Sequence, residues 1–192
     1  MSEQMKYSMK IFGIGLSRTG TKSLTAALQM LGYRIVHFPH DRKTINELTS
    51  GRLNFTLLKD KDGITDITVV PYYAQLDKLF PESKFILTTR DKDSWLKSVE
   101  KHFRNNPLPK IFPDLMPNQR AKRFLRSVVY GSHLYNRERM SYVFDLHLKN
   151  VIQYFEDRPD KLLIIDIPSG EGWEKLCPHL NKPVVSGPFP KV

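Results

Sequence analysis

The residues best placed to do chemistry lie in one turn: Gly13-Ile14-Gly15-Leu16-Ser17-Arg18-Thr19-Gly20-Thr21-Lys22-Ser23, just before Leu24. Four hydroxyls and two cations crowd it, and glycines punctuate it. An apolar run precedes the turn, and Leu24, Ala27, Leu28 and Leu31 follow at helical spacing. A helix that starts here leaves backbone N–H groups without partners, a ready seat for an anion. The chemistry this suits is the handling of a phosphate or sulfate ester. A plain structural turn would explain the glycines and leave Arg18 and Lys22 unexplained. The turn is not a Walker A loop, because Thr21 separates Gly20 from Lys22 and the amine must leave in another direction.

A second group follows the strongest apolar run, Lys84–Thr89. Arg90 ends that run, and Ser98 stands eight residues later, about two helical turns on. A guanidinium fork with a nearby hydroxyl recognises phosphate well, whereas an Arg90 pair with Asp91 or Asp93 would be a surface contact of little worth.

The elements that must position these groups are read from apolar periodicity and punctuation. Strands are expected at 11–14, 34–38, near 63–67, at 84–89 and at 161–167, with helices between them. Gly32 ends the first helix; Asp41 caps the second, which runs towards Gly51; Pro71 opens one through Leu79. Trp95, Val99 and Phe103 share a face of the next. Pro107, Pro109, Pro113 and Pro117 predict a loop, followed by helices over 118–130 and 136–156, the second with Tyr142, Leu146, Val151 and Phe155 inward. A last helix covers 172–180. Alternating strands and helices make this an α/β fold, a three-layer arrangement with a mainly parallel central sheet and helices on both faces. Residues 1–192 form a single domain, with a Pro-rich loop and helical lid around 104–157. In such sheets ligands bind beyond the carboxyl ends of the strands, where Ser17–Ser23, Asp66 and Arg90 all fall.

Composition narrows the partners. A formal net charge of +10 over 192 residues suits a polyanionic ligand, a nucleic acid or a membrane surface. No continuous Lys/Arg tract appears, which speaks against a nucleic-acid arm. The single cysteine, Cys177, lies in an apolar helical pattern and reads as a buried thiol of a reducing compartment. No apolar run is long enough for a membrane span or a signal peptide, so a cytoplasmic protein is expected.

The two motifs together resemble the sulfotransferases that use 3′-phosphoadenosine 5′-phosphosulfate (PAPS), and among them short bacterial sulfotransferase-like proteins. The resemblance rests on Arg18-Thr19-Gly20-Thr21-Lys22-Ser23-Leu24, on Arg90 with Ser98, and on a late Gly170-Glu171-Gly172-Trp173. It implies a P-loop-type fold, with the first loop holding the 5′-phosphosulfate and Arg90 and Ser98 the 3′-phosphate. The implied cofactor contacts are Arg18, Thr19, Gly20, Thr21, Lys22, Ser23, Arg90 and Ser98, with Arg18 also catalytic. The acceptor is a hydroxyl or amine compound, and no metal is needed. Many members carry Lys where Arg18 stands. Cytosolic members place a catalytic His after a Thr, where this chain has Thr65-Asp66, and they carry a late Arg-Lys-Gly loop that this sequence lacks. By position Asp66 is the expected base, unless it only caps the following turn; His37, His40 and Asp41 are held in reserve. His147 is read as a hydrogen-bonded structural residue, and Asp166 as a cap for the turn at Pro168-Ser169.

Two other readings compete with the sulfotransferase. One is a P-loop kinase or NTPase using ATP and Mg²⁺, which the displaced Lys22 weakens. The other is a non-catalytic nucleotide- or RNA-binding module that uses the positive charge.

Overall fold

The structure is a computed structural model that describes residues 9–108 and 117–192; Pro109 and Pro113 of the expected loop lie outside them. Five strands, β1 (Ile11–Gly13), β2 (Ile35–His37), β3 (Gly63–Thr65), β4 (Lys84–Thr88) and β5 (Leu162–Ile165), form one sheet in the order β2-β3-β1-β4-β5. Every pairing is parallel. All carboxyl ends therefore open on the same edge, with β1 and its loop at the centre.

Side-chain alternation along the strands divides the core. Ile11, Ile86 and Ile165 point to one face, beneath α1 (Thr21–Met30) and α7 (Trp173–His179), against Leu24, Ala27, Leu28, Trp173, Leu176 and Cys177. Phe12, Ile64, Phe85 and Leu87 point to the other. There they meet α3 (Tyr73–Leu79), α4 (Lys92–Asn105) and α6 (Arg137–Tyr154) through Leu76, Trp95, Val99, Met140, Val143 and Val151. Each fully buried side chain of this size contributes about 1.5–3 kcal/mol relative to exposure. Helix α2 (Arg42–Thr49) begins on Asp41, whose carboxylate accepts the N–H groups of Lys43 and Thr44. Helix α5 (Pro117–Tyr130) opens on Pro117, a position where proline loses no hydrogen bond. The fold is the three-layer α/β, P-loop-type arrangement expected, with the sheet wholly parallel.

Local differences have physical causes. Tyr142 and Leu146 are exposed, because α6 turns Met140, Val143, Phe144 and Val151 into the core instead. Of the four residues expected inward on that helix, Val151 and Phe155 are buried. Leu53–Leu58 carries a single 3₁₀ turn at Thr56–Lys59, and the segment entered at Pro71 passes through a 3₁₀ turn before α3. Cys177 is buried. Among the described residues no helix is long and apolar enough to cross a membrane.

Candidate active site

Beyond the carboxyl ends of the strands lies a cavity of about 520 Å³. Its floor is the β1–α1 turn, and local packing sets the shape of that turn. A Cβ on Gly15 would lie 1.9 Å from Thr88 Oγ1, so only glycine lets the chain pass this close to the end of β4. Thr88 Oγ1 and Thr19 Oγ1 are 2.6 Å apart, and Thr19 donates to Leu16 O at 2.6 Å. The Thr19 hydroxyl, expected to line the anion seat, is thus buried beneath it. Gly20 takes φ 97°, and α1 starts there with no side-chain cap. Its first helical bond runs from Leu24 N to Gly20 O. The N–H groups of the first turn accordingly face the cavity, beside Arg18, Thr21, Lys22 and Ser23.

Ser17 is pinned on three sides. Its N–H meets the Tyr130 hydroxyl at 3.3 Å, its carbonyl accepts Trp95 Nε1–H at 2.9 Å, and its hydroxyl donates to Asp66 Oδ1 at 2.6 Å. Asp66 follows β3 in the left-handed region, φ 75°, and is almost wholly buried. Its Oδ2 accepts from Thr21 Oγ1 at 2.5 Å, and its Oδ1 also accepts the Ile67 N–H at 2.7 Å. The carboxylate at the end of β3 therefore shapes the loop after β1. Burial holds the Tyr130 hydroxyl protonated by raising its pKa, and the Asp66 charge adds to that.

Beside Asp66 stands His37, with Nε2 3.7 Å from Asp66 Oδ2 and Nδ1 3.2 Å from Thr65 Oγ1. Thr25 Oγ1 donates to Thr21 O, so Thr65 donates to Thr25 and is free to accept from His37 Nδ1–H. This relay fixes the tautomer and leaves the Nε2 lone pair beside Asp66. Burial lowers the pKa of His37, the Asp66 charge opposes that, and Lys22 adds to the lowering. His40 also lines the cavity, its Nδ1 held by Phe38 O at 2.8 Å. Asp41 is committed to capping α2. His147 is half-buried and donates from Nε2 to Ile14 O at 2.8 Å, a structural role. Asp166 accepts the Ser169 N–H and caps its turn.

Of the second basic group, Arg90 lines the cavity. Arg90 Nε donates to Ser94 Oγ at 2.9 Å, whereas Ser98 Oγ accepts from Arg18 Nε at 3.2 Å. Arg90 Nη1 reaches the Arg18 carbonyl at 3.5 Å, which ties the two arginines together. Of the expected site residues, Arg18, Gly20, Thr21, Lys22, Ser23, Asp66 and Arg90 line the cavity, while Thr19 and Ser98 support it from behind.

Other wall residues were not singled out by their sequence pattern. His102 of α4 and its C-cap residue Asn106 line the cavity four and eight residues beyond Ser98, and α5 adds Lys122, Arg126 and Tyr130 at the same spacing. That repeated spacing was the available signal. Ile167 and Pro168 pack over Gly20. Their loop is closed by Glu171, whose carboxylate accepts the Asp166 N–H at 2.7 Å. Gly172 leaves room for Phe189, which packs on Trp173 with ring centroids 4.7 Å apart. The late Gly170-Glu171-Gly172-Trp173 motif is therefore scaffolding for the rim. Lys191 and Val192 reach the cavity, and the Val192 N–H donates to Ser23 Oγ at 3.1 Å.

Among the described residues six cations line the cavity, Arg18, Lys22, Arg90, Lys122, Arg126 and Lys191, against one carboxylate, Asp66. Such a surface is electrostatically suited to an anionic ligand. No cluster of three or more His, Cys, Asp or Glu residues able to hold a metal occurs among the described residues.

Residues 10–192 match the family described as the sulfotransferase domain. The Ava biosynthesis cluster protein M of Aspergillus versicolor is 28% identical over 218 aligned positions, which cover 96% of this chain and 80% of that protein. The crystal structure of a sulfotransferase from Alicyclobacillus acidocaldarius superposes with a TM-score of 0.58 at 14% identity, over 94% of this chain and 84% of the other. That last likeness is one of fold.

Proposed function

The chain belongs to the sulfotransferase domain family, and from that premise we propose that it moves a sulfuryl group from PAPS to a hydroxyl- or amine-bearing acceptor. The observation that carries the reading is the charge arrangement of the cavity. An uncapped helix start with Arg18, Lys22 and Arg90 faces Asp66, the one side-chain carboxylate among the described lining residues, and that carboxylate already serves the loop hydroxyls of Ser17 and Thr21. The donor presents a phosphosulfate and a 3′-phosphate, two anionic groups for two basic groups.

In this reading the first-turn N–H groups of α1, with Lys22 and Arg18, bind the 5′-phosphosulfate, and Arg90, oriented by Ser94, binds the 3′-phosphate. The acceptor oxygen or nitrogen attacks sulfur as the bond from sulfur to the bridging phosphate oxygen breaks. Charge grows on that oxygen, and the preorganised cations and N–H groups stabilise it without a metal, as in other group transfers between anions. The acceptor proton passes to His37 Nε2, whose partner at Nδ1 leaves that lone pair available. Asp66, 3.7 Å away, stabilises the imidazolium that forms. Asp66 thus acts through His37 and through the loop, a fuller role than that of a turn cap.

The test is incubation with radiolabelled PAPS and a panel of phenols, alcohols and amines, followed by separation of sulfated products. Transfer that requires Lys22 and Arg18 supports the reading. PAPS that neither binds nor turns over, beside ATP bound with Mg²⁺, would return the chain to the kinase-like alternative.

A further inference from the structure

The wall of the cavity on α5 carries positive charge that the donor chemistry above does not use. Arg126 is 6% exposed, yet it lines the cavity. Its guanidinium lies over the Phe103 ring, 4.1 Å from the centroid, so its plane is fixed. Of its donors, Nη1 reaches Asn106 O at 3.2 Å; no carboxylate partner occurs among the described residues. A buried arginine without a counter-charge is costly, and burial accordingly lowers its pKa. An anionic ligand in the cavity would supply the missing charge. Lys122, one turn before Arg126 on the same face, lines the cavity too, whereas Asp66, the one side-chain carboxylate among the described lining residues, is engaged by Ser17 and Thr21.

The order along α5 gives the distance. Tyr130 meets Ser17 in the loop, Arg126 lies one turn further out and Lys122 two. One turn of four residues rises about 6 Å. We infer that the acceptor is a compact hydroxyl compound bearing its own anionic group, a carboxylate or its equivalent, which seats on Arg126 and Lys122 while its hydroxyl reaches the loop. The inference rests on the proposed transfer for the word acceptor, but the anion seat stands on the geometry alone. Arg126 and Lys122 are specificity-determining residues in this account. A neutral phenol loses the ion pair and leaves Arg126 buried without a counter-charge, and a cationic amine is repelled as well.

Calorimetry on protein saturated with adenosine 3′,5′-bisphosphate tests this without turnover. The probes are 4-hydroxybenzoate, its neutral ethyl ester and tyramine, and the same titrations are run on the unliganded protein. The expected result is tenfold or greater preference for 4-hydroxybenzoate over the ester, with tyramine weakest. Arg126→Gln should abolish that preference, Arg126→Lys should keep part of it, and Lys122→Ala should cut it several-fold while bisphosphate affinity holds. If Arg126→Gln does not fold, the Lys122→Ala and Lys122→Glu proteins decide the matter, the second by reversing the preference. Equal affinity for the acid and the ester in the wild type overturns the inference. So does an Arg126→Gln protein that loses bisphosphate binding, since the arginine would then serve the donor. Anion binding that depends on Arg126 in a protein that never transfers a sulfuryl group would retire the proposed reaction and keep the site.

Discussion

Ser17 gives its hydroxyl hydrogen to Asp66 Oδ1 at 2.6 Å, so the residue that ends β3 fixes the loop that follows β1. Asp66→Asn keeps the left-handed backbone, which Asn tolerates, and keeps the shape. It removes the charge beside His37 and the acceptor for one loop hydroxyl. Turnover should fall on the order of 10²–10⁴-fold with bisphosphate affinity within a few-fold of wild type. A turn cap alone would cost about 1 kcal/mol of stability and spare turnover.

Arg90 and Ser98 are predicted to behave differently from each other, because Arg90 bonds Ser94 while Ser98 bonds Arg18. Arg90→Ala should weaken adenosine 3′,5′-bisphosphate by about 2–4 kcal/mol and leave 5′-AMP nearly untouched. Ser94→Ala should produce a milder version of the same loss, about 1 kcal/mol. Ser98→Ala should weaken both nucleotides alike, since Arg18 serves the group they share. Titrations of the three variants with both nucleotides check this.

The pH dependence follows from histidines that the fold keeps neutral. Burial lowers the pKa of His147, and it lowers that of His179 to about 4. Their folded values lie below the ordinary 6.5, so their contribution to stability is complete above that pH and is lost as pH falls through the folded values. Melting temperature should therefore be flat from neutrality to about 6.5 and decline towards pH 4. His37 is lowered too, mainly by burial, so kcat/KM should lose its base on the acid side of the same pH. His37→Gln should remove most of the turnover and with it that acid limb.

How much could be read beforehand depended on which physical signal was local. The strand-turn-helix at Ile11–Met30 and the dense apolar run before Arg90 are local patterns, and both stand in the structure as expected. Thr19 turned inward because Gly15 admits Thr88, a contact between residues distant in sequence. The contacts of Arg90 with Ser94 and of Arg18 with Ser98 join a loop to a helix and have no local sequence signal. Tyr142 and Leu146 misled because α6 carries apolar residues on more than one face, and contact with α4 and the sheet selects Met140, Val143 and Phe144. Arg126 was invisible for a similar reason. An arginine on an amphipathic helix looks solvated until its neighbours bury it.

Tyr130→Phe tests how far α5 holds the loop. The change leaves the half-buried Ser17 N–H without its acceptor. A loss of about 1–3 kcal/mol in stability is expected, together with weaker bisphosphate binding. Thermal denaturation and calorimetry on the variant measure both, and an unchanged bisphosphate affinity would show that the loop holds its shape without this contact.

The central claim is that this cavity binds a nucleotide with both a 5′- and a 3′-phosphate through protein cations alone. Thermal denaturation in the presence of a metal chelator, with adenosine 3′,5′-bisphosphate at about a hundred times its dissociation constant, tests it most directly. The account predicts a rise in melting temperature of about 5–10 °C, because such occupancy contributes about 2.7 kcal/mol. Under the same conditions 5′-AMP at equal concentration should give a much smaller rise. Stabilisation that appears only when Mg²⁺ is restored, and then with ATP rather than the bisphosphate, would contradict the account.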